Sequence, residues 1–300
     1  MSTILNDFKS AFRYGNVLNQ LIIVNVVVWL AFSTIFIIAK ASSAPWIFTA
    51  VYDAVAFPSD PAKFIYRPWT ILTYGFFHSA IDLFHILFNM MFLYMFGRIV
   101  KDSLGNERII SIFIWGVLVG AGLMMVTYNT VPYFIAQGAG QMVGASAGVT
   151  AIVVAAATLN PDFRFNLIFI GPVKIVYIAA FVVLMSYIQS IGHNAGGNIA
   201  HLGGALIGYL FIKQIQKGTD LGKPIIWVFN WGKNLFKPKP SVRVTHRASG
   251  QKKSGSASVN SKTGVNQKEI DRILDKISQS GYESLTKDEK EKLFSASQKK

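Results

Sequence analysis

Cysteine is absent from the 300 residues, which excludes disulfide staples, thiolate catalysis and cysteine-ligated metal. Charge is scarce too: Asp, Glu, Lys and Arg make up 15% of the chain, against about 25% in soluble domains. The 53 residues between Arg108 and Asp162 contain none of them, and neither does the stretch from Ile175 to Ile212. With a hydrophobic share of 52%, these deserts point to a membrane protein. They hold no carboxylate, and the chain has no His-Glu-x-x-His, so no metal site is expected and no cofactor is called for. The spans lack a charged pathway residue and the chain lacks an internal repeat, which argues against a transporter. A cleavable signal peptide is not expected either: Met1 to Gln20 is mixed polar, and no small-residue cleavage site follows the first apolar run.

The charge that is present is unevenly spread. Residues 1–216 carry a net +4 and residues 217–300 a net +10. A spanning helix needs about 20 mostly apolar residues, and the apolar runs predict helices at about 17–39, 83–96, 110–128, 146–159, 174–190 and 199–213. The fourth is too short to cross alone at about 1.5 Å per residue. Residues 40–82 are broken by proline and charge and read as a long aromatic loop at the interface. Residues 129–143 and 193–198 read as connections. Six helices put both termini on one side, together with Lys9, Arg13, Arg98, Lys101, Arg108, Arg164 and Lys174, while 129–145 and 191–198 carry no Lys or Arg. The positive-inside rule then predicts a multi-pass protein of the inner (cytoplasmic) membrane with both termini cytoplasmic; Lys40, Lys63 and Arg67 run against it.

The expected organisation is a six-helix membrane domain at 1–216, a basic interfacial segment and flexible linker at 217–265, and a two-helix cytoplasmic module at 266–300. In the module Ile270, Ile273, Leu274 and Ile277 recur at helical spacing, and Thr286-Lys-Asp-Glu289 forms a capping box. The basic tail suits anionic lipid headgroups. Nucleic acid is not an expected partner, because no recognised binding motif accompanies the charge.

Four polar residues in the apolar runs could carry chemistry. Ser146 follows Gly144 at the start of the short fourth helix, where unpaired N–H groups could hold a developing oxyanion; it could equally be the helix cap, a preferred place for serine. His201 begins Ala-His-Leu-Gly-Gly, and Gly204 and Gly208 share one face, as do Ala147, Ala151 and Ala155. Two small-residue faces allow close helix packing, which could bring His201 to Ser146 as a base. A packing or proton-handling histidine is the plainer alternative. His85 and Asn89 are four apart, hence on one helical face, and both offer N–H donors to an oxyanion or to a neighbouring helix. His78, His193 and His246 show no clear partner.

His85-x-x-x-Asn89, Gly144-x-Ser146 and Ala200-His201-x-x-Gly204-x-x-x-Gly208, with Arg67-Pro68-Trp69-Thr70 and Phe77-His78 upstream, resemble the rhomboid intramembrane serine proteases over roughly residues 15–215. The resemblance implies an all-α membrane protein with a six-transmembrane-helix rhomboid bundle and a short fourth helix. It implies Ser146 as nucleophile and His201 as general base, then acid. His85, Asn89 and the backbone at Gly144 to Ser146 would surround the oxyanion and substrate. It also implies single-span membrane proteins as substrates, and a fifth helix that gates them. Two positions depart from the family pattern: Ala147 stands where glycine is usual, and Thr150 where many members have an aromatic. The last 35 residues resemble a small module appended to rhomboids of Bacteroidetes-type bacteria. A non-catalytic rhomboid-like binder in quality control or trafficking is the alternative; such proteins typically lack the serine or the histidine, and this chain keeps both. The oligomeric state is left open.

Overall fold

The structure, a computed structural model, describes residues 16–235 and 267–297. Six helices build the membrane body: α1 (Val17–Ala41), α2 (Leu83–Leu104), α3 (Asn106–Thr130), α4 (Ser146–Leu159), α5 (Ile175–Ile188) and α6 (Ala195–Gln216). Four of them, α1, α2, α3 and α6, are long and apolar enough to cross a membrane; α4 and α5 are shorter apolar helices. The chain groups into two compact units, 1–238 and 239–300.

Helix α4 is the centre of the first unit. It is buried along nearly its whole length, by Ala147, Ala151 and Ile152 among others. Glycines let its neighbours approach. A methyl on Gly204 or Gly208 of α6 would run into the carbonyl oxygens of Ala147 and Ala151. One on Gly116 of α3 would sit 2.6 Å from the Ala151 Cβ. Small faces meeting backbone to backbone are the usual way helices associate where no water drives them together.

Several boundaries differ from the sequence expectation, each for a local reason. Helix α2 does not stop at Gly97-Arg98 but runs to Leu104, because Gly97 packs on the Leu18 side chain and Gly105, at φ 83°, makes the turn instead. Helix α6 begins at Ala195, not 199: Asn198 donates to the Asn194 carbonyl at 3.0 Å and the Gln189 carbonyl at 3.1 Å, folding the Gly/Asn stretch into its first turn. Residues 40–82 are not an open loop. Pro45–Val55 and Pro61–Tyr66 are helices that each start on proline, where its missing N–H costs nothing, and Thr70–Thr73 is a single turn. Pro132–Gln137 is likewise helical within the expected connection. Strand β1 (Phe57–Pro58) pairs antiparallel with β2 (Gln141–Met142), and β3 (Arg164–Leu167) with β4 (Gly171–Lys174) in a hairpin between α4 and α5.

Three side chains, Tyr74 buried and Trp29 and Ser33 part-buried, tie the loops to the site. Tyr74 donates its hydroxyl to the Val117 carbonyl at 2.7 Å, and its own carbonyl accepts from the Gly144 N–H at 2.9 Å. Trp29 and Ser33 of α1 donate to the carbonyls of Ser79 and Ala80, just before α2. After α6, helix α7 (Lys223–Leu235) follows a turn clasped by Arg108 on Asp220 at 2.6 Å.

In the second unit α8 (Gln267–Ser280) and α9 (Lys287–Ser297) pack through Ile270, Ile273 and Leu285. The expected capping box forms: Glu289 accepts from the Thr286 N–H at 2.8 Å, and Thr286 Oγ1 accepts from the Glu289 N–H at 3.4 Å. Gly281 ends α8 at φ 77°. The linker expected at 237–265, and His246 within it, lie outside the described residues.

Candidate active site

Ser146 is the first residue of α4, and the capping position belongs to Ala145, which supplies no side-chain bond. The helical ladder opens with Val149 N–H to Ala145 O at 2.9 Å, leaving the amides of Ser146, Ala147 and Gly148 outside it. Gly144 holds φ 150°, in a region that disfavours a side chain. A Cβ there would lie 3.3 Å from Ser146 Oγ and 3.4 Å from His85 Nε2. Gly144 therefore keeps open a small space onto which the serine hydroxyl and the His85 ring both face.

Ser146, His201, His85 and Asn89 line one cavity of about 500 Å³, walled by Phe84, Phe88 and Phe92 of α2 and by Val149, Thr150 and Val153 of α4. Asp82, Gln189, Asn194 and Asn198 give it a polar part that can admit water. Gly144 is not among the residues of the wall. Asn89 directs one amide hydrogen to the His85 carbonyl at 2.8 Å, and an amide nitrogen has a second to give. The His85 ring meets that of His78 edge to face, centroids 5.2 Å apart. His78 is fully buried, and neither of its ring nitrogens has a hydrogen-bond partner. His193 is exposed in the turn before α6.

A residue that sequence reasoning passed over completes the arrangement. Ser186 of α5 is buried, with its Oγ 3.1 Å from His201 Nδ1. The same hydroxyl donates to the Val182 carbonyl at 2.9 Å. A serine has one hydrogen to give. When it goes to Val182, the oxygen accepts from His201, the tautomer with the imidazole proton on Nδ1 and the lone pair on Nε2. That Nε2 is buried and has no partner. Ser146 Oγ and His201 Nε2 share the cavity but are not hydrogen-bonded to each other.

A family model of the Rhomboid domain matches residues 66–216, half of the chain and every residue of this site. The chain belongs to the rhomboid family. Its all-α membrane bundle, with the short α4 enclosed by its neighbours, is a rhomboid bundle, and the protein is a multi-pass membrane protein. It is similar to RHOMBOID-like protein 12, mitochondrial, of Arabidopsis thaliana, with 28% identity over 162 residues, 51% of this chain and 48% of that protein. It is also similar to the Presenilin-associated rhomboid-like protein, mitochondrial, of Rattus norvegicus and of Homo sapiens, with 28% identity over 208 residues, 66% of this chain and 48% of each relative. The chain thus spans about half the length of these curated relatives. Residues 257–299 match a family of unknown function, DUF6576.

The two departures from the rhomboid pattern have visible surroundings. Ala147 turns its methyl toward Gly120 of α3, which has none of its own to oppose it. Thr150 is a buried part of the cavity wall, and no aromatic ring stacks on His201 among the described residues. The ring is held by Ser186 instead.

Proposed function

We propose that this rhomboid is an intramembrane serine endopeptidase with a Ser146/His201 dyad. The observation that carries the reading is the free Nε2 of His201, buried in the same cavity as an uncapped serine at a helix N-terminus. In the reaction Ser146 Oγ turns onto Nε2, gives up its proton and attacks the scissile carbonyl carbon. Hydrogen bonds that are loose in an unliganded site commonly close only once substrate binds. The resulting oxyanion sits against the free amides at the start of α4, the second Asn89 hydrogen and the His85 ring, beside the space that Gly144 keeps open. Nε2–H then protonates the leaving amine as the C–N bond breaks. Water drawn through the polar part of the cavity hydrolyses the acyl-enzyme, with Nε2 again taking and returning the proton.

Substrates are single-span membrane proteins whose helix unwinds into the cavity. The bundle sits in an inner (cytoplasmic) membrane with both termini cytoplasmic, and the basic residues after 217 lie on anionic headgroups. In this organisation 1–216 is the membrane domain, 217–265 a basic segment and linker, and 266–300 a cytoplasmic module. The missing Ser146–His201 hydrogen bond favours one other reading, a rhomboid-like binder that recognises membrane segments without cutting them. A fluorophosphonate probe separates the two. Labelling of detergent-solubilised wild type that disappears in Ser146→Ala and in His201→Ala is expected of the protease, and an unlabelled, folded wild type is expected of the binder.

A further inference from the structure

A second cavity, of about 750 Å³, opens on a different face of α5, between α4, α5 and α6. Its α5 wall is one helical stripe, Val176, Ala179, Ala180, Val183, Leu184 and Tyr187, at spacings of three and four. Ala157 of α4 stands across from it, and these alanines leave the room that larger side chains would fill. The Thr158 hydroxyl in the wall is returned to the Val154 carbonyl at 2.7 Å, so it presents no unmet donor to hydrocarbon. From Leu202 to Lys213 the groove follows α6 for about 16 Å at the helical rise. That is the depth of one leaflet, half of a hydrocarbon core about 30 Å thick.

Lys213 stands at the end of this groove. Its Nζ lies 5.6 Å over the Tyr209 ring and 3.4 Å from Gln216 Oε1, and among the described residues no carboxylate reaches it. An apolar trough of leaflet depth that ends on a lysine with no carboxylate partner among the described residues has the shape and charge of a single lipid of one sign.

We propose that this groove binds one anionic phospholipid, with an acyl chain along the α5 stripe and the phosphate on Lys213. The inference rests on the membrane embedding of the rhomboid bundle and is independent of the protease reading. It matters for the site because α5 also carries Val182 into the active-site cavity and Ser186 onto His201. An occupied groove would load one face of the helix that orients the base with another.

Native mass spectrometry of the full chain in detergent tests this, with equal amounts of phosphatidylglycerol and phosphatidylcholine added. Wild type is expected to retain one phosphatidylglycerol with a preference of about fivefold, the worth of one basic residue at an anionic surface. Lys213→Gln should bring the two lipids level, and Lys213→Arg should restore the preference. Ala180→Trp, which fills the groove, should lose both lipids, with Val183→Phe as a milder plug. Equal retention of the two lipids by wild type would overturn the proposal. So would retention unchanged in Lys213→Gln, the result if Lys213 serves only the C-terminus of its own helix.

Discussion

At His201 the tautomer turns on Ser186. With the serine hydrogen on Val182, the imidazole donates from Nδ1 and keeps its lone pair on Nε2, the form the proposed dyad requires. The proposed dyad uses no carboxylate orienter, and no Asp or Glu lies in the charge-free runs that hold Ser146 and His201. Ser186→Ala should lower kcat about tenfold with little change in KM, the worth of one neutral hydrogen bond. Ser186→Thr should recover most of it, and steady-state cleavage kinetics check both. Ser146, His201, His85 and Asn89 stand out as candidates in the sequence because polar side chains are rare in those runs, and the structure brings the four to one cavity. Ser186 does not stand out: a helical serine that bonds its own backbone looks like any other until α5 is seen packing on α6. The turn of the Asn89 amide back onto the His85 carbonyl was hidden for the same reason.

Among the elements, α4 depends on what its neighbours lack. Gly208 meets the Ala151 carbonyl directly, so any side chain there must push α6, and His201 with it, away from Ser146. Gly208→Val should cost about 1–3 kcal/mol by overpacking and remove activity, whereas Gly122→Val, where nothing lies within 4 Å, should be close to neutral. Thermal unfolding in detergent and a cleavage assay read the two effects. The pairing of small faces was visible as four-residue spacing, and the bounds of α4 were read correctly from Ser146 to Asn160-Pro161. Proline misled elsewhere. At Pro45, Pro61 and Pro132 it starts helices rather than interrupting them, and a local pattern does not separate those roles without knowing where the preceding residue turns. The β3–β4 hairpin was missed because Ile168-Phe169-Ile170 at its tip is apolar and has no turn signal before Gly171.

For the whole molecule, a cysteine-free chain makes topology directly testable. In intact cells a Gln137→Cys variant should react with a membrane-impermeant maleimide, and Thr219→Cys only after permeabilisation; the reverse pattern would invert the proposed orientation. The second unit has its own signature. Glu289 is held down from 4.5 to about 2, chiefly by the Thr286 N–H and then by Lys276. A carboxyl depressed in this way adds stability that is present above pH 4.5 and lost as pH falls through about 2. Amide exchange in residues 267–297, corrected for its intrinsic pH dependence, should accelerate across that window in wild type and not in Glu289→Gln. The central claim remains the Ser146/His201 dyad, and reconstituted cleavage tests it most directly. Wild type in proteoliposomes should cut a single-span reporter within its membrane segment, while folded Ser146→Ala and His201→Ala cut none. Equal turnover in either variant would contradict the account.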